Sequence, residues 1–222
     1  MTELPRAETD PVAFIRRETV VAAPPLVPEI RLHLATEITP IWQATETVLL
    51  REGLPPPYWA FAWPGGQALA RTILDDPAIV VGRRVLDFAA GSGLVAIAAA
   101  RAGARSVVAA EIDKFAASAI VLNAMLNGVT VPVTLDDVVG TTGPWDLVLA
   151  GDVCYERPMA ERVTAWLRTL VRQGTEVLMG DPGRSYLPPS GLQLVTRHRV
   201  PTSLELEDRT ERETVIWRLL AA

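Results

Sequence analysis

The stretch Val85-Leu86-Asp87-Phe88-Ala89-Ala90-Gly91-Ser92-Gly93 decides how the chain reads. A short apolar run feeds a turn of small residues. Leu94 to Ala102 follows as a small-residue helix closed by Gly103. A strand that passes through a tight turn into a helix gathers backbone N–H groups and a helix N-terminus at one point. Such a point suits an adenosine-bearing cofactor.

Downstream, strand and helix patterns alternate. The central strand, Arg84 to Phe88, is followed by a strand at Ser106–Ala110 and by a helix that Asp113 caps and Gly128 closes. Strands are expected at Val131–Leu135, Asp146–Ala150 and Thr175–Gly180, with a helix from Pro158 to Arg172 between the last two. Leu192–His198 and Thr214–Leu219 read as strands with no convincing helix between them. This is an α/β chain: a parallel sheet with helices on both faces and one antiparallel strand added at the edge.

Upstream, Pro11 to Val21 predicts a short helix, and the run from Ala22 to Pro28 a stiff proline spacer. Ile30, Leu32 and Leu34 alternate with Arg31 and His33, a strand pattern that puts His33 at the surface or an edge. Residues 45–50 read as a second strand, so 29–50 forms a small ribbon. Leu54-Pro55-Pro56-Pro57-Tyr58-Trp59-Ala60-Phe61-Ala62-Trp63-Pro64-Gly65-Gly66 is a rigid aromatic loop suited to wall a ligand pocket, with Pro64 opening a helix through Leu74. Residues 1–53 are therefore expected to be an extension packed on the core, and 54–222 the main domain.

A net charge of -5 and a pI near 5.2 argue against nucleic acid as the partner. Of the 21 basic residues only Lys114 is a lysine, and the arginines are dispersed rather than patched. Cys154 is the single cysteine, which excludes an internal disulfide and fits a reducing compartment. No apolar run is long enough for a membrane span, and Glu3, Glu8 and Asp10 do not suit a signal segment. The expectation is a cytoplasmic protein, monomeric, without nucleic-acid or membrane partners. Two distant histidines and one cysteine make no metal ligand set.

The glycine turn alone is ambiguous. Gly91-Ser92-Gly93-Leu94-Val95-Ala96 fits G-x-G-x-x-[GA], and Glu111 lies 20 residues after Gly91, where a dinucleotide enzyme carries its ribose-binding acid. Asp87 changes the balance. It gives D-x-x-x-G-x-G, and a carboxylate there repels a pyrophosphate but meets the ammonium of S-adenosylmethionine. Glu111 then takes the ribose hydroxyls, with Ile112 beside it in the same cofactor set. Asp136-Asp137 ends the third strand; either serves the adenine amino group or is a turn residue, and Asp136 is carried as the candidate. Gly151-Asp152-Val153-Cys154-Tyr155-Glu156 follows the fourth strand, at the carboxyl edge where ligands sit. Asp152, Tyr155 and Glu156 bring two carboxylates and a phenol to the reacting end of the cofactor. Cys154 reads as packing, since neither histidine is placed to activate it. Gly180-Asp181-Pro182-Gly183-Arg184 lies at the same edge, as a turn or as a site wall.

Together PPYWAFAWPGGQALA (56–70), LDFAAGSG (86–93), AEID (110–113), WDLVLAGDVCYE (145–156) and GDPGR (180–184) resemble the seven-β-strand protein lysine methyltransferases, and among them those acting on the electron transfer flavoprotein β subunit, in a bacterial form. Cys154 and Glu156 stand where Phe and Asp are usual, and Glu111 where Asp is usual. The resemblance implies a Rossmann-like seven-β-strand methyltransferase fold, sheet order 3-2-1-4-5-7-6 with strand 7 antiparallel. It implies methylation of lysines on that β subunit, near the loop that docks partner dehydrogenases. On this reading Asp152 and Tyr155 hold the incoming amine, Glu156 assists, and Trp63 offers a π-face, with Trp63 and Asp152 also counted among the cofactor-binding residues. The alternatives are a small-molecule N-methyltransferase, a methyltransferase of a ribosomal or other protein, and a cofactor-binding module without chemistry. The D-x-x-Y motif argues against the last.

Overall fold

The computed structural model describes residues 10–35 and 56–221. The strand expected at 45–50 lies outside them. The helices are α1 (Pro11–Glu18), α2 (Pro64–Asp75), α3 (Leu94–Arg101), α4 (Lys114–Leu126), α5 (Arg157–Arg172) and α6 (Leu204–Glu207). The strands are β1 (Val20–Ala22), β2 (Leu32–Leu34), β3 (Arg84–Phe88), β4 (Ser106–Ala110), β5 (Val133–Thr134), β6 (Leu147–Gly151), β7 (Glu176–Asp181), β8 (Leu192–Pro201) and β9 (Glu211–Leu219).

Strands β3 to β9 form one seven-stranded sheet in the order β5-β4-β3-β6-β7-β9-β8. Counted from β3, that order is 3-2-1-4-5-7-6. β9 runs antiparallel to both neighbours and the remaining pairs are parallel. The strands alternate their side chains between two apolar layers. Val85, Leu147, Leu149, Leu178 and Ile216 face a layer that includes Leu69 of α2, Ile97 of α3 and Ile120 of α4. Leu86, Phe88, Val148, Val177 and Met179 face Val163, Trp166, Leu167 and Leu170 of α5. Each fully buried Leu or Ile contributes roughly 1.5–3 kcal/mol by leaving water.

The N-terminal segment departs from its sequence pattern in two ways. The helix stops at Glu18, because Thr19 turns extended, and the β-branched Val20-Val21 then form β1. β1 pairs antiparallel with β2. His33 is buried rather than surface-exposed, at 9% exposure. Its ring Nδ1 lies 3.1 Å from Thr19 Oγ1, and its backbone N–H donates to Asn123 Oδ1 of α4 at 2.7 Å. Alternation misleads here because Thr19, at the end of α1, meets the ring, while Asn123 of α4 bonds the free backbone edge of β2. Asn123 also donates to the Ser92 carbonyl at 2.9 Å, tying β2 to the glycine turn through one fully buried side chain. Val27, Ile30 and Leu32 join the same apolar layer as α2 and α3.

Between β8 and β9, where the sequence shows no helix, the chain makes the short α6. It carries Glu207, 3% exposed.

Candidate active site

The carboxyl ends of the parallel strands lie along one edge. Phe88 pairs with Ala110 and with Ala150, and Gly151 pairs with Gly180. Four acids gather there: Asp87 in β3, Glu111 after β4, Asp152 after β6 and Asp181 ending β7. The backbone is strained directly after the two central strands. Ala89 has φ 52° and Asp152 has φ 56°. A left-handed conformation without glycine costs on the order of 1–3 kcal/mol and persists only where the surroundings enforce it.

The cofactor half is built around the glycine turn. Gly91 and Gly93 have φ of 52° and 77°, which glycine adopts without steric penalty. A side chain on Gly91 would meet only the Trp59 Cα, at 4.0 Å, so open space lies over the turn. Glu111 braces it: Oε2 accepts from the Gly91 N–H at 3.0 Å, and Oε1 accepts from Ile112 at 2.8 Å and Asp113 at 3.2 Å. Ile112 itself is 73% exposed, an apolar surface beside that acid. Asp87 is 2% exposed and sits beneath the turn, where Oδ2 accepts from the Ala96 N–H in the first turn of α3 at 2.9 Å. Burial pushes its carboxyl up to about 7, with the Ala96 N–H opposing and the Glu111 charge adding. Asp136 and Asp137 separate clearly. Asp137 is paired with Arg162 at 2.6 Å, whereas the Asp136 carboxylate accepts only from Thr134 at 3.1 Å among the described residues. The acids and the open glycine turn fit a cationic, ribose-bearing cofactor. Asp87, Gly91, Gly93, Glu111, Ile112 and Asp136 would hold it.

The acceptor half depends on close backbone contacts. α2 begins against the ends of β6 and β7. A Cβ on Gly65 would overlap the Gly180 carbonyl oxygen and lie 2.5 Å from Asp152 Oδ2; a Cβ on Gly151 would lie 2.9 Å from Gly66 N. The glycines of the three motifs therefore mesh. Asp152 closes the junction: Oδ2 accepts from Gly65 N at 2.6 Å and Gly66 N at 3.2 Å, at the positive end of α2. Its Oδ1 accepts from Arg184 Nη2 at 2.8 Å and Nε at 3.3 Å. Arg184 pairs also with Glu207 at 2.5 Å, and Glu207 with Arg212 at 3.0 Å. The Arg184 guanidinium lies 5.8 Å from the ring centroid of Trp63. Asp181 Oδ1 accepts from the N–H groups of Gly183 and Arg184, both at 2.7 Å, and so sets the turn that carries Arg184.

Burial pushes the Asp152 carboxyl up to about 6; Arg184 pulls it down, and the charges of Asp181 and Glu207 add to the rise. Cys154 is fully buried, and burial with the Asp181 and Asp152 charges pushes its thiol up to about 12. It is a packing residue, not a nucleophile.

Tyr155 and Glu156 are exposed at the start of α5. The Tyr155 ring lies 5.9 Å from Tyr58, which lies 6.0 Å from Trp63. The indole N–H of Trp63 donates to the Tyr58 carbonyl at 2.8 Å. The fold thus brings Trp63, Asp152, Tyr155 and Glu156 to the β6 end and the other predicted cofactor residues to the β3–β5 ends. The sequence aims Asp152 and Trp63 at an incoming amine; in the folded chain both already hold Arg184. Sequence reasoning named Arg184 only as part of a possible site wall, and it missed Glu207 and Tyr58. GDPGR was a signal for the first, and the aromatic loop for Tyr58. Nothing local marked Glu207. Among the described residues no cluster of His, Cys, Asp and Glu is suited to a metal ion, and no helix is long and apolar enough to cross a membrane.

A seven-stranded sheet of this order, with acids at the ends of β3 and β4 around an open glycine turn, defines the class of S-adenosylmethionine-dependent methyltransferases. Residues 69–177 match the family of the ribosomal protein L11 methyltransferase (PrmA). Among solved structures, the ribosomal protein L11 methylase of Lactobacillus delbrueckii subsp. bulgaricus superposes with a TM-score of 0.51 at 22% identity, covering 72% of this chain and 81% of that one. The magnesium protoporphyrin IX methyltransferase of Synechocystis PCC 6803, solved with bound S-adenosylmethionine, gives 0.52 at 18% identity over 70% and 80%. The electron transfer flavoprotein beta subunit lysine methyltransferase of Xenopus laevis is 42% identical over 209 residues, covering 92% of this chain and 82% of that protein. The chain belongs to the family of the electron transfer flavoprotein beta subunit lysine methyltransferases.

Proposed function

We propose that this enzyme transfers methyl groups from S-adenosylmethionine to lysine side chains of the electron transfer flavoprotein β subunit. Family membership supports the substrate, since the relative from Xenopus laevis bears that name. The observation that carries the chemistry is the junction at Asp152. One carboxylate joins the N-terminus of α2 to Arg184, directly beside the exposed Tyr155 and Glu156. When bound, the cofactor supplies a methyl group on a positively charged sulfur.

The chain's own residues do the positioning. Glu111, Ile112 and Asp136 hold the nucleoside end, and Asp87 and the glycine turn hold the amino-acid end. Trp63 and Tyr58 wall the space between the halves. Tyr155 and Glu156 meet the acceptor side chain, and Asp152 keeps that wall in register. Holding donor and acceptor in line supplies about 7–11 kcal/mol of the barrier in favourable cases.

The test is transfer of radiolabelled methyl into a cell extract, followed by mass spectrometry of the labelled bands. Label in a lysine of the β subunit supports the assignment; label only in small molecules overturns it. Asp152→Ala is expected to lose methyl transfer while still binding cofactor. Near-normal transfer by that variant would remove Asp152 from the acceptor side.

A further inference from the structure

A lysine attacks a methyl group only as the free amine. In water it is an ammonium with a pKa of about 10.4. A site that offers an uncompensated carboxylate or an open aromatic face stabilises the ammonium and works against the reaction. The two such groups nearest the junction, the Asp152 carboxylate and the Trp63 ring, are already engaged. Asp152 has Oδ2 under two peptide N–H groups of α2 and Oδ1 under Arg184. The Trp63 ring lies under the same guanidinium. The side chains of Arg184 and Asp152 are 19% and 11% exposed, so water screens this pair little.

We infer that Arg184 is a positioning residue that makes the acceptor site favour an uncharged amine, by filling the places an ammonium would take and by setting a permanent cation beside them. This rests on the acceptor side assigned above. The charged and titratable groups around Arg184 support the assignment. From the end of β6 come Asp152 and the neutral thiol of Cys154; from the end of β7 comes Asp181, which fixes the backbone of Arg184. From α6 comes Glu207, whose charge is shared with Arg212 of β9. Glu156 and the Tyr155 phenol stand exposed at the start of α5. Both carboxylates that touch Arg184 have further donors of their own: α2 peptide groups for Asp152 and Arg212 for Glu207. The guanidinium stays charged throughout the working pH range.

The balance of the step is simple. The ammonium gives one proton to water. The freed lone pair forms the N–C bond, and the S–C bond breaks with its electron pair staying on sulfur.

The test measures kcat from pH 6 to 10 with the purified β subunit as acceptor, at saturating acceptor and cofactor, because kcat reports groups in the bound complex. The limb of interest lies above pH 7, clear of the Asp152 and Asp87 carboxyls, which burial pushes up to about 6 and about 7. Wild type is expected to show that limb well below the ordinary lysine value. Arg184→Met moves it up by about one unit, and Arg184→Lys, which keeps the charge, leaves it in place. A second readout needs no turnover and no variant. Binding of the acceptor to wild type holding S-adenosylhomocysteine, measured by calorimetry at about pH 9, between the shifted and the ordinary lysine values, in two buffers of different ionisation heat, is expected to release a large fraction of a proton. An R184M limb that stays at the wild-type pH while the rate falls uniformly overturns the inference, as does binding without proton release by wild type. If the β subunit takes no methyl at any pH, the substrate assignment fails instead, and the same limb is read on whichever protein is labelled in the extract.

Discussion

Gly65 and Gly66 are adjacent in the sequence, yet the fold predicts opposite outcomes for the same substitution. In Gly65→Ala the new Cβ overlaps the Gly180 carbonyl oxygen and lies 2.5 Å from Asp152 Oδ2 and 2.8 Å from Asp152 N. Two of these are backbone atoms of strand ends, so the helix must move. Overpacking of this kind costs about 1–3 kcal/mol. Moving α2 also weakens the bonds from Gly65 and Gly66 to a carboxylate, and bonds to charged groups are worth about 1.5–3 kcal/mol. The sum is roughly 2.5–6 kcal/mol. In a protein of this size that lowers the melting temperature by about 5–24 °C, at roughly 2–4 °C per kcal/mol. In Gly66→Ala the Cβ meets only Val95 Cγ2, at 3.9 Å, an ordinary contact. There the gain in helix propensity dominates, about 0.5–1 kcal/mol in favour of the variant. Thermal unfolding by circular dichroism and methyl transfer at 25 °C measure both. Gly65→Ala melts early and loses transfer, while Gly66→Ala melts at or above wild type. Equal behaviour of the two variants would refute the meshing of α2 with β6 and β7.

Two further outcomes follow from buried groups at the same edge. Asp87 titrates at about 7 in the fold, against 3.8 in the unfolded chain, so it opposes folding above pH 7, and that penalty is relieved as the pH falls from 7 toward 4. Asp87→Asn, which keeps an acceptor for the Ala96 N–H, is expected to stabilise the cofactor-free protein at pH 8 by on the order of a few kcal/mol and to change little at pH 4. Urea unfolding at the two pH values checks the sign, and a variant equally stabilised at both would sink it. Cys154, with its thiol at about 12 and no exposure, is expected to stay unmodified by an aromatic disulfide reagent in the native protein and to react at once in denaturant. Rapid labelling of the folded protein would contradict its place in the core.

The sequence by itself determined the central strand, the glycine turn, α3 and the acids at the strand ends, because each is written in neighbouring residues. The apolar run from Val85 to Phe88, the small residues through Gly93 and the caps at Asp113 and Gly128 need no distant partner to be read. The strand order came from the resemblance, and hydrogen-bond register bears it out. Tertiary structure alone decided what the acids and the aromatics do. Asp152 meets Arg184 across 32 positions, Arg184 meets Glu207 across 23, and His33 meets Asn123 across 90. Residue spacing carries no trace of such pairs, since they depend on which strands lie side by side and where each one ends. The departures at Thr19 and His33 are linked in the same way: Thr19 turns extended and ends α1, and its hydroxyl then meets the His33 ring across 14 positions. Arg184 is the sharpest case. In the sequence it closes a turn motif; in the fold it occupies the carboxylate and the indole face that the sequence had assigned to the substrate.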